Sequence, residues 1–208
     1  TFDSKIYNQT IEETIKSECI RQIDKTNNNR IGYFHQFLSK YAGNNWEVPA
    51  NGKKGGFDVV NDELHIYAEM KNKHNTMNSS ATQKTFLKMT TQILNDDNCD
   101  CYLVEIIAKR SQNIVWNVSL DYERVSNEHI KRVSIDKFYE EVTGDKDAFY
   151  KICKQLPIII DEIISENNEF VVEDDTVISE LRSTNPDILK SLYMLAFSTY
   201  EGFKNECE

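Results

Sequence analysis

Over residues 64–72 the chain alternates: Ile66, Ala68 and Met70 are apolar, and His65, Tyr67, Glu69 and Lys71 stand between them. A period of two predicts a strand with one face fit for a core and one face left for chemistry. The shorter run 56–60 predicts its partner, with Phe57 and Val59 on one face and Asp58 and Val60 on the other. Asn61, Asp62 and Glu63 would close the two into a hairpin. Residues 46–48 read as a further short strand ahead of it.

A spacing of four marks helices elsewhere. Ile11, Ile15, Cys19 and Ile23 predict a helix over 8–25 capped by Asn8 or Thr10, and a TNNN turn separates it from a second at about 30–42, ended by Gly43. Ser80 with Gln83 forms a capping box ahead of Phe86, Leu87, Ile93 and Leu94, predicting a helix over 81–95. Residues 101–109 and 113–120 are apolar strands, so strand, helix and strand imply a crossover. Helices are predicted near 136, over 147–166 with an interruption at Pro157, and over 186–203. The expected fold is α/β, a mixed central β-sheet flanked by helices, in a single domain 1–208. Its core lies at about 46–120 and its helical C-terminal part at about 133–208.

Composition narrows the picture. A chain of 208 residues buries a sufficient core without staples. No run reaches the roughly 18 apolar residues that span a bilayer, and TFDSKIYNQT lacks the segments of a signal peptide, so a cytoplasmic protein without a membrane partner is expected. The five cysteines are dispersed and read as reduced thiols; Cys99 and Cys101 lack companions for a metal set and read as buried structural residues. A net charge of −10 argues against a nucleic-acid partner until it is mapped. Residues 133–208 hold 17 acidic against 7 basic side chains, the whole excess, and the acids there, including EDD at 173–175, read as a solvated face. Residues 50–90 carry six lysines against four acids. The basic island surrounds the hairpin.

With a turn centred near Asp62, Asp58 falls roughly opposite Tyr67 and Glu69 becomes its diagonal neighbour, about 7–8 Å away along the backbone. Two converging carboxylates select a hard cation, Mg²⁺ or Mn²⁺, which keeps water and accepts phosphate oxygens. The Met70 carbonyl is a further candidate ligand. Lys71, two residues from Glu69 on the same face, can orient or help deprotonate an attacking water and offset developing charge. Gly55 and Gly56 allow backbone to lie close to a ligand. This is chemistry for phosphodiester hydrolysis.

The residues GFD ending at Asp58, followed by AEMK with Glu69 and Lys71, resemble the PD-(D/E)xK nuclease superfamily. AEMKNKHNTMN is similar to the group of type II restriction endonucleases that cut double-stranded GGNCC sites. The resemblance is sharp over residues 51–90. It implies a restriction-endonuclease-like fold, Mg²⁺ dependence, cleavage of both strands of a palindrome, and a homodimer. Gly-Phe stands before Asp58 where the superfamily has Pro, and Leu87 stands where the RecB-like branch has Tyr.

The superfamily's first-helix glutamate would correspond to Glu18, near the inward stripe, as a further metal ligand, with Glu12 and Glu13 weaker candidates. Lys73, His74, Asn75, Thr76 and Asn78 leave the catalytic strand in a polar loop suited to DNA contact. Lys53, Lys54, Lys84 and Lys88 are placed to hold phosphates. His65 and Tyr67 would wall the cleft. The competing readings are another nuclease of the superfamily, in repair or junction resolution, and a non-catalytic acidic protein that mimics DNA or docks a basic partner.

Overall fold

The computed structural model describes residues 2–50, 52–120, 122–166 and 176–197. Where the sequence suggested one domain, contacts divide the chain into two compact units, Asn27–Ser165 and Thr1–Thr26 with Glu166–Glu208.

The larger unit is built on a five-stranded sheet: β1 (Val59–Asn61), β2 (Ile66–Lys73), β3 (Asp100–Ile107), β4 (Asn113–Val115) and, after the separate hairpin β5 (Val118–Leu120) and β6 (Glu123–Val125), β7 (Ile130–Ser134). Its order is β1-β2-β3-β7-β4. β2, β3 and β7 run parallel, and β1 and β4 pair antiparallel at the edges. The expected mixed sheet is present, and α3 (Ser79–Asn95) makes the predicted crossover from β2 to β3.

Strand parity sorts two cores. Val59, Ala68, Met70, Tyr102, Val104 and Val133 pack with Trp46 and with Phe138, Tyr139 and Val142 of α4 (Ile135–Thr143). On the other face Val60, Cys101, Leu103 and Ile130 meet Phe86 and Met89 of α3, with Trp116 and Val118 beside them. Tyr67 packs on this second core, which therefore lies on the face that also carries Glu69 and Lys71.

Several expectations change. The helix α2 (Ile11–Ala42) is continuous through the TNNN segment. Asparagine costs a helix at most about 0.7 kcal/mol per residue, and no proline enforces a stop. α5 (Ala148–Glu166) likewise continues through Pro157, because a lone proline removes one hydrogen bond and kinks a helix more readily than it ends it. α3 is capped by Asn78, whose side chain accepts from the Ala81 N–H at 2.8 Å, so Ser80 lies inside the helix. The expected strand 113–120 splits into β4 and β5, with the buried Trp116 between them. Residues 46–48 keep only a bridge between Glu47 and Val60. His65 precedes β2 with φ +53 and bonds Asp96 at 2.7 Å.

The smaller unit holds α1 (Phe2–Ile6), the start of α2, α6 (Val177–Thr184) and α7 (Ile188–Phe197). Within it Arg182 pairs with Glu12, and the buried Ser191 hydroxyl donates to the Leu181 carbonyl at 2.7 Å. α6 was not anticipated. The acids 173–175 and the expected helical residues 198–203 lie outside the described residues. Among the described residues Cys99, Cys101 and Cys153 form no disulfide, and burial pushes the Cys101 thiol far up.

Candidate active site

The site forms where β1 stops and β2 runs on. Gly55 and Gly56 both adopt positive φ, at +68° and +71°, turning the chain so that Phe57 is buried and Asp58 follows it at the ladder's end. The Asp58 N–H donates to the Ala68 carbonyl at 3.0 Å, and its Oδ2 accepts the Met70 N–H at 2.7 Å. Val59 pairs with Ala68, so the register extended one step sets Asp58 against Glu69. The hairpin turn closes one residue later than the sequence suggested, at Asn61 and Ile66, which moves Asp58 from opposite Tyr67 to opposite Glu69. An N–H and C=O of one strand residue leave on the same side, so the Met70 carbonyl points toward Asp58 as well.

Glu69 is largely buried, with 13% of its side chain exposed, and holds an ammonium on each oxygen. Lys71 Nζ is 2.6 Å from Oε1, and Lys88 Nζ, reaching from α3, contacts Oε2. Burial opposes ionisation of Glu69, but the two lysines outweigh it and hold the carboxyl below its ordinary range. Asp58 goes the other way. Desolvation first, and then the charge of Glu69, raise it above the usual value against the pull of the Met70 N–H, Lys71 and Lys88. Two neighbouring carboxyls pushed in opposite directions, one by desolvation and the other by two ammonium groups, are the kind of perturbed pair that functional sites gather.

Beside them opens a cleft of about 570 Å³ lined by Asp58, Met70, Lys71 and Lys73 of the hairpin and by Asn28, Tyr33 and Gln36 of α2. A smaller cleft of about 210 Å³ shares Tyr33, Gln36 and Asp58 with it.

Residues 1–165 match the model of the family described as Eco47II restriction endonuclease. The chain belongs to the Eco47II restriction endonuclease family. It is 33% identical over 174 residues to the type II restriction enzyme Sau96I of Staphylococcus aureus, covering 79% of this chain and 65% of that one. It is 31% identical over 165 residues to the type II restriction enzyme Eco47II of Escherichia coli, covering 74% and 67%. The match thus spans about two thirds of the length of these relatives. No solved structure matches. A mixed sheet flanked by helices agrees with the restriction-endonuclease-like fold that membership implies.

Within this family member the other candidate residues scatter. Lys73 is exposed and lines the larger cleft; Asn75 is exposed beside it. His74 is fixed through its backbone, its N–H donating to the Ile107 carbonyl at 3.1 Å and its carbonyl accepting from Arg132 at 3.0 Å. Asn78 is occupied as the cap of α3. Lys53 and Lys84 are exposed, whereas Lys54 is drawn onto Glu47, at 2.8 Å, and Asp62. Lys88 is turned inward onto Glu69. Glu18 lies in the smaller unit, where Arg21 and Gln22, each at 2.6 Å, lower its carboxyl to about 2.

Three features escaped the sequence reading: the lining contributed by α2, the inward Lys88, and the contact of Asn72 Nδ2 with Asn28 Oδ1 at 2.7 Å. Lys84 and Lys88, four residues apart, share a face of α3, but nothing local distinguishes the one that reaches a buried carboxylate. Asn28 sat in a segment taken for a turn.

Proposed function

We propose that the protein is a type II restriction endonuclease that hydrolyses phosphodiester bonds of double-stranded DNA at a short palindromic site of the GGNCC kind. The observation that carries this reading is the meeting of Asp58 and Glu69 at the open end of the β1-β2 ladder, with Lys71 on Glu69 and a cleft alongside.

The donor set fits Mg²⁺ or Mn²⁺. Among the described residues no group of three or more Asp, Glu, His or Cys side chains is placed to hold a metal ion. Two carboxylates with a backbone carbonyl are what these ions take when water and phosphate oxygens complete their shell. Asp58, Glu69 and the Met70 carbonyl would hold the ion; when bound, it polarises the phosphoryl oxygen and lowers the pKa of its water. Lys71 then orients the attacking water and offsets charge developing on the phosphate. Lys73 at the cleft, and the exposed Asn75, Lys53 and Lys84 outside it, supply phosphate contacts, and His74 and Asn78 keep the loop in place. Cutting both strands of a palindrome takes two equivalent sites, so the working form is a homodimer whose two-fold axis matches that of the DNA. Among the described residues no helix is long and apolar enough to cross a membrane.

Digestion of a plasmid of known sequence, with Mg²⁺ and with EDTA, tests the reading. Discrete Mg²⁺-dependent fragments ending at one palindromic site support it. Unspecific degradation points to a different nuclease of the superfamily, and an uncut plasmid across all metals overturns the enzyme.

A further inference from the structure

Lys88 is the residue whose place the reaction scheme leaves unused. Its Nζ contacts Glu69 Oε2, lies 3.1 Å from the Gly56 carbonyl and sits 4.3 Å from the centroid of the Phe57 ring. It therefore spans the two segments that bear the carboxylates: Gly56 and Phe57 lead directly into Asp58, and Glu69 is the partner. A cation at that position has the electrostatic duty of a metal.

Resting on the nuclease reading, we infer that Lys88 is a built-in counter-cation that holds Glu69 while the site has no metal and yields the carboxylate when a divalent cation arrives. Charge balance requires some such exchange. Two carboxylates already face two ammonium groups, and an added double charge would leave a surplus of two in a half-buried pocket. Lys71 sits next to Glu69 on its own strand and is committed to the attacking water. Lys88 comes from a different element, on a flexible four-carbon stem, and the Gly56 carbonyl and the face of Phe57 remain to receive it once it leaves the carboxylate. A buried carboxylate with one oxygen left unpaired is costly, so the lysine also steadies the site before metal binds.

Calorimetric titration of Mg²⁺ and of Ca²⁺ into DNA-free protein tests this, alongside melting curves with and without each ion. Lys88→Met should bind either ion about tenfold more tightly than wild type, because a repelling charge is gone. It should melt lower than wild type without metal and gain more on metal addition. Lys88→Arg, which keeps the charge, should bind like wild type, and Lys88→Gln repeats the Met result should Met disturb packing. Folded Met and Gln variants with unchanged or weaker cation affinity overturn the inference. Asp58→Asn separates the two layers: if wild type binds and Asp58→Asn does not, the metal site stands whatever Lys88 does. A wild type that binds no cation, or an Asp58→Asn that binds equally well, brings down the nuclease reading and the counter-cation with it.

Discussion

Two acids stand on the same face of adjacent strands and have opposite fates. Glu69 of β2 is opposite Leu103, and one pleat further along Lys71 is opposite Glu105 of β3. Glu105 is the more buried, with 2% of its side chain exposed, and Arg132 of β7 closes it: Nε at 2.8 Å and Nη2 both donate to Oε1, while Gln112 approaches Oε2 at 3.4 Å. Arg132 also takes the His74 carbonyl, tying the loop after β2 to the sheet. A rigid guanidinium fixed on the carboxylate through Nε and Nη2 leaves that buried acid little to offer a ligand. Glu69 is met by two flexible lysines, and its neighbour Asp58 is pushed toward the protonated form. Burial of an acid thus does not mark a reactive site. What sets Glu69 apart is a second carboxyl nearby and partners on flexible stems.

The contrast predicts different kinds of damage. Lys71→Ala and Glu69→Gln should lower the rate of plasmid cleavage by about 10³-fold or more, as removal of a group acting on transition-state charge does. Lys71→Ala should still bind its site in a mobility-shift assay. Loss of binding together with cleavage would make Lys71 a structural residue. Arg132→Met should act on folding, since it strands Glu105 in the core: a loss of about 3 kcal/mol in urea denaturation is expected. Pairing it with Glu105→Leu should recover much of that loss. An Arg132→Met protein of normal stability would erase the distinction between the two acids.

Much of the candidate site's geometry was legible beforehand because strand parity is local. Asp58, Glu69 and Lys71 follow from period-two alternation and a hairpin, and their shared side of the ladder needs no long-range information. The register was two residues out because His65 adopts a positive φ and lengthens the turn, which composition did not reveal. β7 was missed for a different reason. Lys131 and Arg132 make it look polar, yet both are matched by acids of β3, Asp100 at 2.6 Å and Glu105, and that compensation belongs to the fold rather than to the segment. Lys88 and the α2 lining are unreadable on the same ground: their partners lie 19 and 44 residues away in sequence.

Smaller effects sharpen the comparison. Asp58 is raised above its unfolded value, so its ionisation opposes folding: the stability it contributes is present below the unfolded pKa and is lost as pH rises through the folded one. Metal-free Asp58→Asn should therefore be more stable than wild type at neutral pH, while inactive. Glu69 is lowered, so its contribution is present above the unfolded pKa and lost as pH falls through the folded one. Melting curves between pH 3 and pH 8, about the span over which carboxyls titrate, should show the Asp58→Asn advantage shrinking toward acid. An advantage that grows instead would contradict the assignment. Asn78→Ala should cost about 1 kcal/mol through the lost cap, and Asn78→Asp should restore it.

The most direct test is a crystal of the protein grown with Mn²⁺, with anomalous scattering used to locate the ion. One peak should lie within direct coordination distance of an oxygen of Asp58 and of an oxygen of Glu69, with Lys88 withdrawn from the carboxylate. A peak held by only one of the two acids, or one elsewhere on the molecule, would contradict the shared metal on which the account depends.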